Sequence, residues 1–431
     1  MTTEFAAYIG LDWADKKHFY TLRTAAGETR RGQLDNTPQA VEIWAAELAQ
    51  RFGGQPVAVA LEQARGAVVA MLRKYSHLVV FAIHPNTLKD YRKAFCPSGA
   101  KSDPVDGDLA LELVWTHRDW LQRLDADTLD TRRLQFLTEE RRRLVNEHTG
   151  HKQRLIAWLK QIFPQILEWF DDPASAMVGK LLLRWPRLEA LQKTKPHVLR
   201  KFFQMHNCRS QERIEERIAA IGPAVPATND AALLETAQMA VKHLVAALEQ
   251  LRGAIAEFDR QIAEVFAAHE DAVLVESFPG LGPVLAPRVI AALGTQRERY
   301  ASSNNLACCV GIAPVTEASG NQLWIHWRLA CSKFLRQTFH EWAGCSIRCC
   351  SWAREHYEAQ RAKGKGHHAA LRSVAFKWIR ILFRCWRDRV PYSEQVHLSR
   401  RPPRQPKPEL TPTAIQWKSC AGFSKISQLN S

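Results

Sequence analysis

No apolar stretch of this 431-residue chain approaches the roughly 20 residues that a helix needs to cross a bilayer, and the N-terminus lacks the basic-then-apolar pattern of a secretory leader. The expectation is a soluble, cytoplasmic protein with no membrane partner. Ten cysteines are present, Cys96, Cys208, Cys308, Cys309, Cys331, Cys345, Cys349, Cys350, Cys385 and Cys420, but their spacing is irregular and no CxxC pair occurs. That excludes a disulfide framework and gives no zinc signature, so reduced, mainly buried thiols are expected. No GxSxG elbow surrounds Ser319, which argues against an esterase triad.

Acidic residues are scarce in one region only. The chain carries 59 Lys+Arg against 44 Asp+Glu, a formal +15, and residues 320–431 alone hold 20 basic and 6 acidic residues. The rest is nearly neutral. A basic C-terminal third interleaved with Trp324, Trp327, Trp342, Trp352, Trp378 and Trp386 is the footprint of phosphate contacts with occasional stacking. Arg328, Lys333, Arg336, Lys363 and Lys365 are the candidate contacts. The plainer reading is that the tryptophans are core and the arginines form a solvated helix face.

Four carboxylates in the first quarter carry the chemistry. Asp12 ends the apolar run Phe5-Ala-Ala-Tyr-Ile-Gly-Leu-Asp12, and Glu62 ends Pro56-Val-Ala-Val-Ala-Leu-Glu62, so each reads as the C-terminal tip of a buried strand. Asp103 and Asp106 are three apart at a helix start, with Pro104 at its second position, and can share one side of the first turn. Carboxylates from separate elements tolerate one another only if a cation or proton offsets them. Magnesium does so while clamping an in-line displacement at phosphorus. The bland alternative is that Asp12 and Glu62 are strand-end turns and the Asp103/Asp106 pair is a helix cap.

Three short strands, Phe5–Asp12, Phe19–Thr24 and Thr29–Leu34, are expected as an antiparallel meander. A helix over Thr37–Phe52, a strand to Glu62, a helix over Ala67–Tyr75 and a strand over Leu78–Ile83 follow. That is the ribonuclease H order, which brings the ends of its first and fourth strands together. Residues 126–170 and 230–270 show long amphipathic periodicity, expected to pair as an antiparallel coiled coil or bundle. Ser277-Phe-Pro-Gly-Leu-Gly-Pro has the form of a helix-hairpin-helix turn, in which Gly280 and Gly282 let backbone amides meet a phosphate. Ser319-Gly320 reads as a polar loop, and Arg328 to Val390 as mostly helical with a turn at Gly364-Lys-Gly366.

In this order, Tyr8-Ile-Gly-Leu-Asp12, Ala60-Leu-Glu62, His84-Pro-Asn86, Lys101-Ser-Asp-Pro-Val-Asp106, Pro279-Gly-Leu-Gly282, Gly311-Ile-Ala-Pro314, Ser319-Gly320 and Phe334-Leu-Arg336 resemble the DEDD-type transposases of the insertion-sequence IS110 family, RNA-guided serine recombinases. The resemblance covers nearly the whole chain. It implies an α/β RuvC-like domain of ribonuclease H fold over 1–115, a helical coiled-coil spacer over 116–270, and a mostly α transposase domain with a helix-hairpin-helix-like turn over 271–398. A basic proline-rich tail over 399–431 is expected to be disordered. It further implies Asp12, Glu62, Asp103 and Asp106 as Mg2+ ligands and Ser319 as nucleophile, with Ser332 and Ser302-Ser303 as alternative serines. Asp108 stays outside the set. The implied partners are donor and target DNA, an element-encoded guide RNA, and further copies of the chain as a dimer or tetramer, in a prokaryotic, nucleoid-associated setting. Two other readings remain open: a RuvC-like junction nuclease without a covalent intermediate, and a non-catalytic nucleic-acid-binding protein. Where relatives continue after the serine with a glycine-rich basic turn, this chain has Asn321-Gln-Leu-Trp-Ile-His-Trp-Arg328.

Overall fold

The structure is a computed structural model that describes residues 5–95 and 103–399. Cys96, Lys101, Ser102, the Asp103 side chain, Cys420 and the tail beyond Ser399 lie outside the described residues. The chain forms two compact units, the first running to Val265 and regaining Leu293–Gln296, the second taking Phe266–Ala292 and the chain from Arg297.

The first unit begins with a meander of β1 (Ala7–Asp12), β2 (Lys17–Thr24) and β3 (Thr29–Asp35). Then come α1 (Pro38–Arg51), β4 (Val57–Leu61), α2 (Ala67–Leu72), β5 (Leu78–Ala82), α3 (Pro85–Phe95), α4 (Asp103–His117) and the short β6 (Gln122–Arg123). Thr37 is the cap of α1, its hydroxyl accepting the Ala40 N–H at 3.2 Å, with Pro38 as first helical residue. Gly53 and Gly54, both at positive φ, turn the chain out of it. The sheet order is β3-β2-β1-β4-β5-β6, with β1, β4 and β5 parallel and the other neighbours antiparallel. This is the strand order expected of a ribonuclease H fold, with the edge strand β6 added.

Every residue of β4 is buried, as suits a central parallel strand covered on both faces. The period of two sorts the side chains. Ala7, Ile9, Leu11, Val57, Val59 and Leu61 meet Val41, Trp44, Leu48 and Leu72 from α1 and α2. Tyr8, Ala58 and Ala60 face Leu88 of α3 and Leu109, Leu113 and Val114 of α4. The second face is floored with small residues, and Gly10 is the extreme case: a Cβ there would stand 2.1 Å from the Gly107 carbonyl. Helix α4 therefore lies directly against the backbone of β1.

The rest of this unit is helical: α5 (Leu129–Ile162), α6 (Gln165–Trp169), α7 (Ala176–Arg184), α8 (Leu188–Gln192), α9 (Pro196–Met205), α10 (Gln211–Ile221) and α11 (Ala231–Ala267). Arg141 of α5 bonds Asp259 of α11 at 2.8 Å, while Leu155 and Leu159 share a core with Val241, Leu244 and Leu248, so the two long helices run antiparallel. That core also takes Phe163, Ile166, Leu181, Trp185, Phe202 and Phe203 from the short helices between them. The spacer is thus a helical bundle; the apolar stripes of α5 and α11 are shared among several partners, and the coiled coil expected over 116–270 is not shown as such.

The second unit holds α12 (Ala272–Glu276), α13 (Leu285–Leu293), α14 (Ser303–Cys309), a hairpin of β7 (Val315–Ser319) and β8 (Gln322–His326), then α15 (Lys333–Cys349), α16 (Ser351–Ala362), α17 (His367–Asp388) and α18 (Glu394–Ser399). Trp342, Trp352, Trp378 and Trp386 are fully buried among α15, α16 and α17. Four of the six tryptophans read as stacking candidates are therefore core, because each falls on the apolar stripe of its helix. Trp324 and Trp327 remain 43% and 41% exposed. The described cysteines are free thiols, but only Cys350 is buried, and burial pushes it up to about 11. No described helix is long and apolar enough to cross a membrane.

Candidate functional site

Leu11 is in register with Leu61 across the parallel β1–β4 pair, so Asp12 and Glu62 follow as the next residues at adjoining strand ends. Both are half-buried. The residues after them are tied as well: with the Gln63 amide oriented oxygen-first, it accepts the Trp13 indole N–H at 2.8 Å. Backbone pairing on one side and a side-chain bond on the other hold the two residues at adjoining positions.

Helix α4 reaches the same end of the sheet. Its Glu112 is bonded by Arg23, which pairs with Tyr8, and its Asp108 accepts the Thr21 hydroxyl at 2.7 Å, Thr21 pairing with Gly10. Four helical residues and two strand residues cover nearly the same length, about 6 Å. One further turn back along α4 therefore brings the level of Asp103 beside Asp12. The helix runs antiparallel to β1 with its N-terminus at the carboxylate end.

Asp106 and Asp108 have different surroundings from the strand-end acids. Asp106 is 1% exposed, and Arg92 of α3 places both Nε, at 2.7 Å, and Nη2, at 2.5 Å, on its Oδ1. Asp108 is held by Arg31 at 2.6 Å and by Thr21, and so clamps α4 to β2 and β3. The Asp108 carboxylate raises the pKa of Arg31, first by hydrogen bonding and then by charge. Among the described residues no three metal-ligating side chains form a cluster, and that count excludes the Asp103 side chain.

In the second unit, Ser319 is the last residue of β7 and pairs with Gln322, so the expected loop is a two-residue hairpin turn with Gly320 at φ +56°. Every residue of β8, and every residue of β7 after Val315, is exposed. The alternative serines have local tasks. Ser332 caps α15 by accepting the Leu335 N–H, and Ser302 caps α14 by accepting the Asn305 N–H, both at 3.3 Å. Ser319 has no such role.

Gly280, at φ +85°, lies where a Cβ would stand 2.8 Å from the Ser346 nitrogen, so close packing on α15 accounts for this glycine. Gly282 has open space around it and forms an open cleft with Leu281, Pro283, Val284, Cys345 and Arg348. Arg328 is engaged with the Ala313 carbonyl at 3.1 Å, Lys333 is exposed at the start of α15, and Lys363 and Lys365 are exposed in the α16–α17 turn.

Sequence reasoning passed over Arg92, Arg372 and the Gly10–Gly107 contact. A glycine inside a strand pattern is a signal for close backbone approach and could have exposed the last. Nothing local distinguishes Arg92 or Arg372 from any surface arginine.

Comparison with known proteins gives two family matches. Residues 9–164 match a model of DEDD-type proteins described as transposase, and residues 272–358 match one described as transposase of the IS116/IS110/IS902 family. The chain is 26% identical over 419 residues to the mini-circle putative transposase for IS117 of Streptomyces coelicolor, covering 90% of this chain and 95% of that protein. It is 26% identical over 386 residues to an uncharacterized 44.8 kDa protein of insertion element IS116 from Streptomyces clavuligerus, covering 89% and 95%. A 42 kDa uncharacterized protein of IS900 from Mycobacterium paratuberculosis shares 26% over 298 residues, 68% of this chain and 73% of its own.

Proposed function

The chain belongs to the IS110/IS116/IS900 family of insertion-sequence transposases, enzymes of DNA strand transfer, and from this we propose that it cuts and rejoins DNA through a serine-linked intermediate assisted by magnesium. The observation that supports the reading most is the pairing of Asp12 and Glu62 at adjoining ends of β1 and β4, with the N-terminus of α4 laid beside them.

The donor set suits a hard cation. Asp12, Glu62, Asp103 and Asp106 are all carboxylates from three elements, and Arg92 makes its two contacts with Asp106 through Oδ1. Arg92 meanwhile orients the Asp106 carboxylate and offsets its charge. Bound magnesium would supply Lewis acidity at a phosphate oxygen. Ser319 supplies the nucleophile: its Oγ bonds to phosphorus as the bond from phosphorus to the deoxyribose oxygen breaks, and the hydroxyl proton passes to that leaving oxygen. The reverse step, with an exchanged strand end as attacking alcohol, rejoins the DNA and frees the serine without net hydrolysis. Sequence choice is assigned to an element-encoded RNA pairing with donor and target DNA, with the protein reading backbone and shape. Two or more copies of the chain hold the two duplexes together.

The test is a denaturing-gel shift of labelled donor and target DNA with protein, magnesium and the RNA transcribed beside the gene. A covalent protein–DNA adduct lost in both Ser319→Ala and Asp12→Ala is the expected result. Free cleaved ends that persist in Ser319→Ala but vanish in Asp12→Ala would replace the serine route with water-mediated cleavage by a RuvC-like nuclease.

A further inference from the structure

At the root of the exposed hairpin the second unit gathers positive charge. Arg336 and His340 stand one turn apart on α15, and His368 and Arg372 one turn apart on α17. The two imidazoles face each other with centroids 5.3 Å apart. Both guanidiniums lie over the Trp327 ring, Arg372 at 3.9 Å and Arg336 at 5.0 Å from its centroid. Neither arginine has an ion-pair partner among the described residues. Arg336 also donates to the Arg328 carbonyl at 3.0 Å, and Arg328 to the Ala313 carbonyl, which builds the group into the hairpin root.

Two guanidiniums brought onto one indole repel, and partial burial raises the cost of their charge. The molecule registers this: burial, and then Arg336, pulls the Arg372 pKa below its ordinary value, and burial followed by His368 and Arg372 lowers that of His340. An anion bound by the guanidiniums would relieve the repulsion. Planar N–H forks match a phosphate bidentately, and the exposed part of Trp327 offers a surface on which a base or sugar can stack.

We infer that Arg336 and Arg372, held across Trp327, form a slot for one phosphodiester of a nucleic-acid strand. Val315 pairs with His326, so this root stands four residues from Ser319 along β7, about 13 Å at the rise of an extended strand. The slot thereby fixes the reach between a bound phosphate and the Ser319 hydroxyl. The identity of the polyanion rests on the proposed function; DNA and RNA share the phosphodiester chemistry.

The experiment uses the full chain carrying Ser319→Ala, so that binding is read without strand chemistry. Fluorescence anisotropy is measured with a labelled single-stranded DNA, a duplex DNA and an RNA of equal length over a series of salt concentrations. Arg372→Gln in this background is expected to weaken binding roughly tenfold, as for loss of a charge-assisted hydrogen bond, and to flatten the log-log salt slope by about 0.7 to 0.9. Arg372→Lys keeps the charge and should retain the slope. Loss confined to RNA assigns the slot to RNA, and loss confined to either DNA assigns it to DNA; both support the slot. Slopes equal to the parent's in all three titrations overturn it. Equal flattening of the salt slope in the Gln and Lys variants also overturns it, because Lys keeps the charge and a phosphate contact would keep the slope. The adduct assay above remains an independent judge of the serine chemistry.

Discussion

The carboxylate end of the sheet and the serine-bearing hairpin are built on opposite terms. Asp12 and Glu62 extend strands whose residues are buried on both faces, and α4 is set against β1 by the direct contact of Gly10 with Gly107. Position there is determined by close packing before any ligand arrives. Ser319 stands on a two-stranded ribbon with Leu323, Trp324 and Ile325 exposed, and an isolated hairpin of that size has little stability of its own. Its rigid attachment is at the root, through Arg328, Arg336 and Arg372. On the proposed function, the comparison separates a charge-stabilising centre that needs accurate geometry from a nucleophile that needs access to a bulky strand.

Substitutions can break this contrast, and the largest effect belongs to the exposed side. Ser319→Ala is expected to lower strand transfer by at least about 10^4-fold while leaving the thermal unfolding midpoint where it was; a large shift in the midpoint would mean the serine is structural. Arg92→Leu strands the buried Asp106 carboxylate and should cost about 3–5 kcal/mol, read by urea unfolding, with much of the loss recovered in an Arg92→Leu/Asp106→Leu double variant. No recovery would show that Arg92 stabilises through other contacts. Gly10→Val forces α4 away from β1 and should destabilise the first unit by about 1–3 kcal/mol. If crystals or spectra of that variant show an unchanged α4, the contact is not what sets the helix.

A smaller effect follows pH. Burial lowers the His18 pKa below its ordinary 6.5, and its Nδ1 accepts the Ala14 N–H at 3.1 Å. The unfolded chain therefore takes up a proton at a pH where the folded one does not. The stability held by neutral His18 is complete above about 6.5 and is lost as pH falls from there towards the folded-state value. Urea midpoints between pH 7.5 and 5.5 should drop less in His18→Gln than in the parent; equal drops would remove His18 as the cause. Smallest of all, Leu323→Ser on the open hairpin should change stability by no more than about 0.5 kcal/mol, whereas a larger loss would mean the ribbon is covered.

Much of the first unit was legible because period and burial are locally written. The expected elements fall within a few residues of β1 to β5, α1 and α2. The strand ends of Asp12 and Glu62 were readable for the same reason, since a carboxylate after an apolar run marks where a buried strand meets solvent. In the second unit the sequence predicts a loop where the serine's hairpin stands. With both faces exposed, β7 and β8 lack the alternation that marks a half-buried strand. The tryptophans divided in a way that composition could not show: four lie on inward stripes of α15, α16 and α17, and two stand at the hairpin.

By itself, then, the order of residues determined the strand sequence of the N-terminal sheet, the family to which the chain belongs and the basic character of its C-terminal third, because each depends on neighbours along the chain or on counts. Tertiary structure alone decided that Arg92 faces Asp106, that Asp108 is spent on Arg31 and Thr21, that Gly10 admits α4, and that Arg336 and Arg372 share Trp327. These are meetings between residues separated by 9 to 97 positions. Partners at such separations are chosen by packing across elements, which leaves no local periodicity or motif to read.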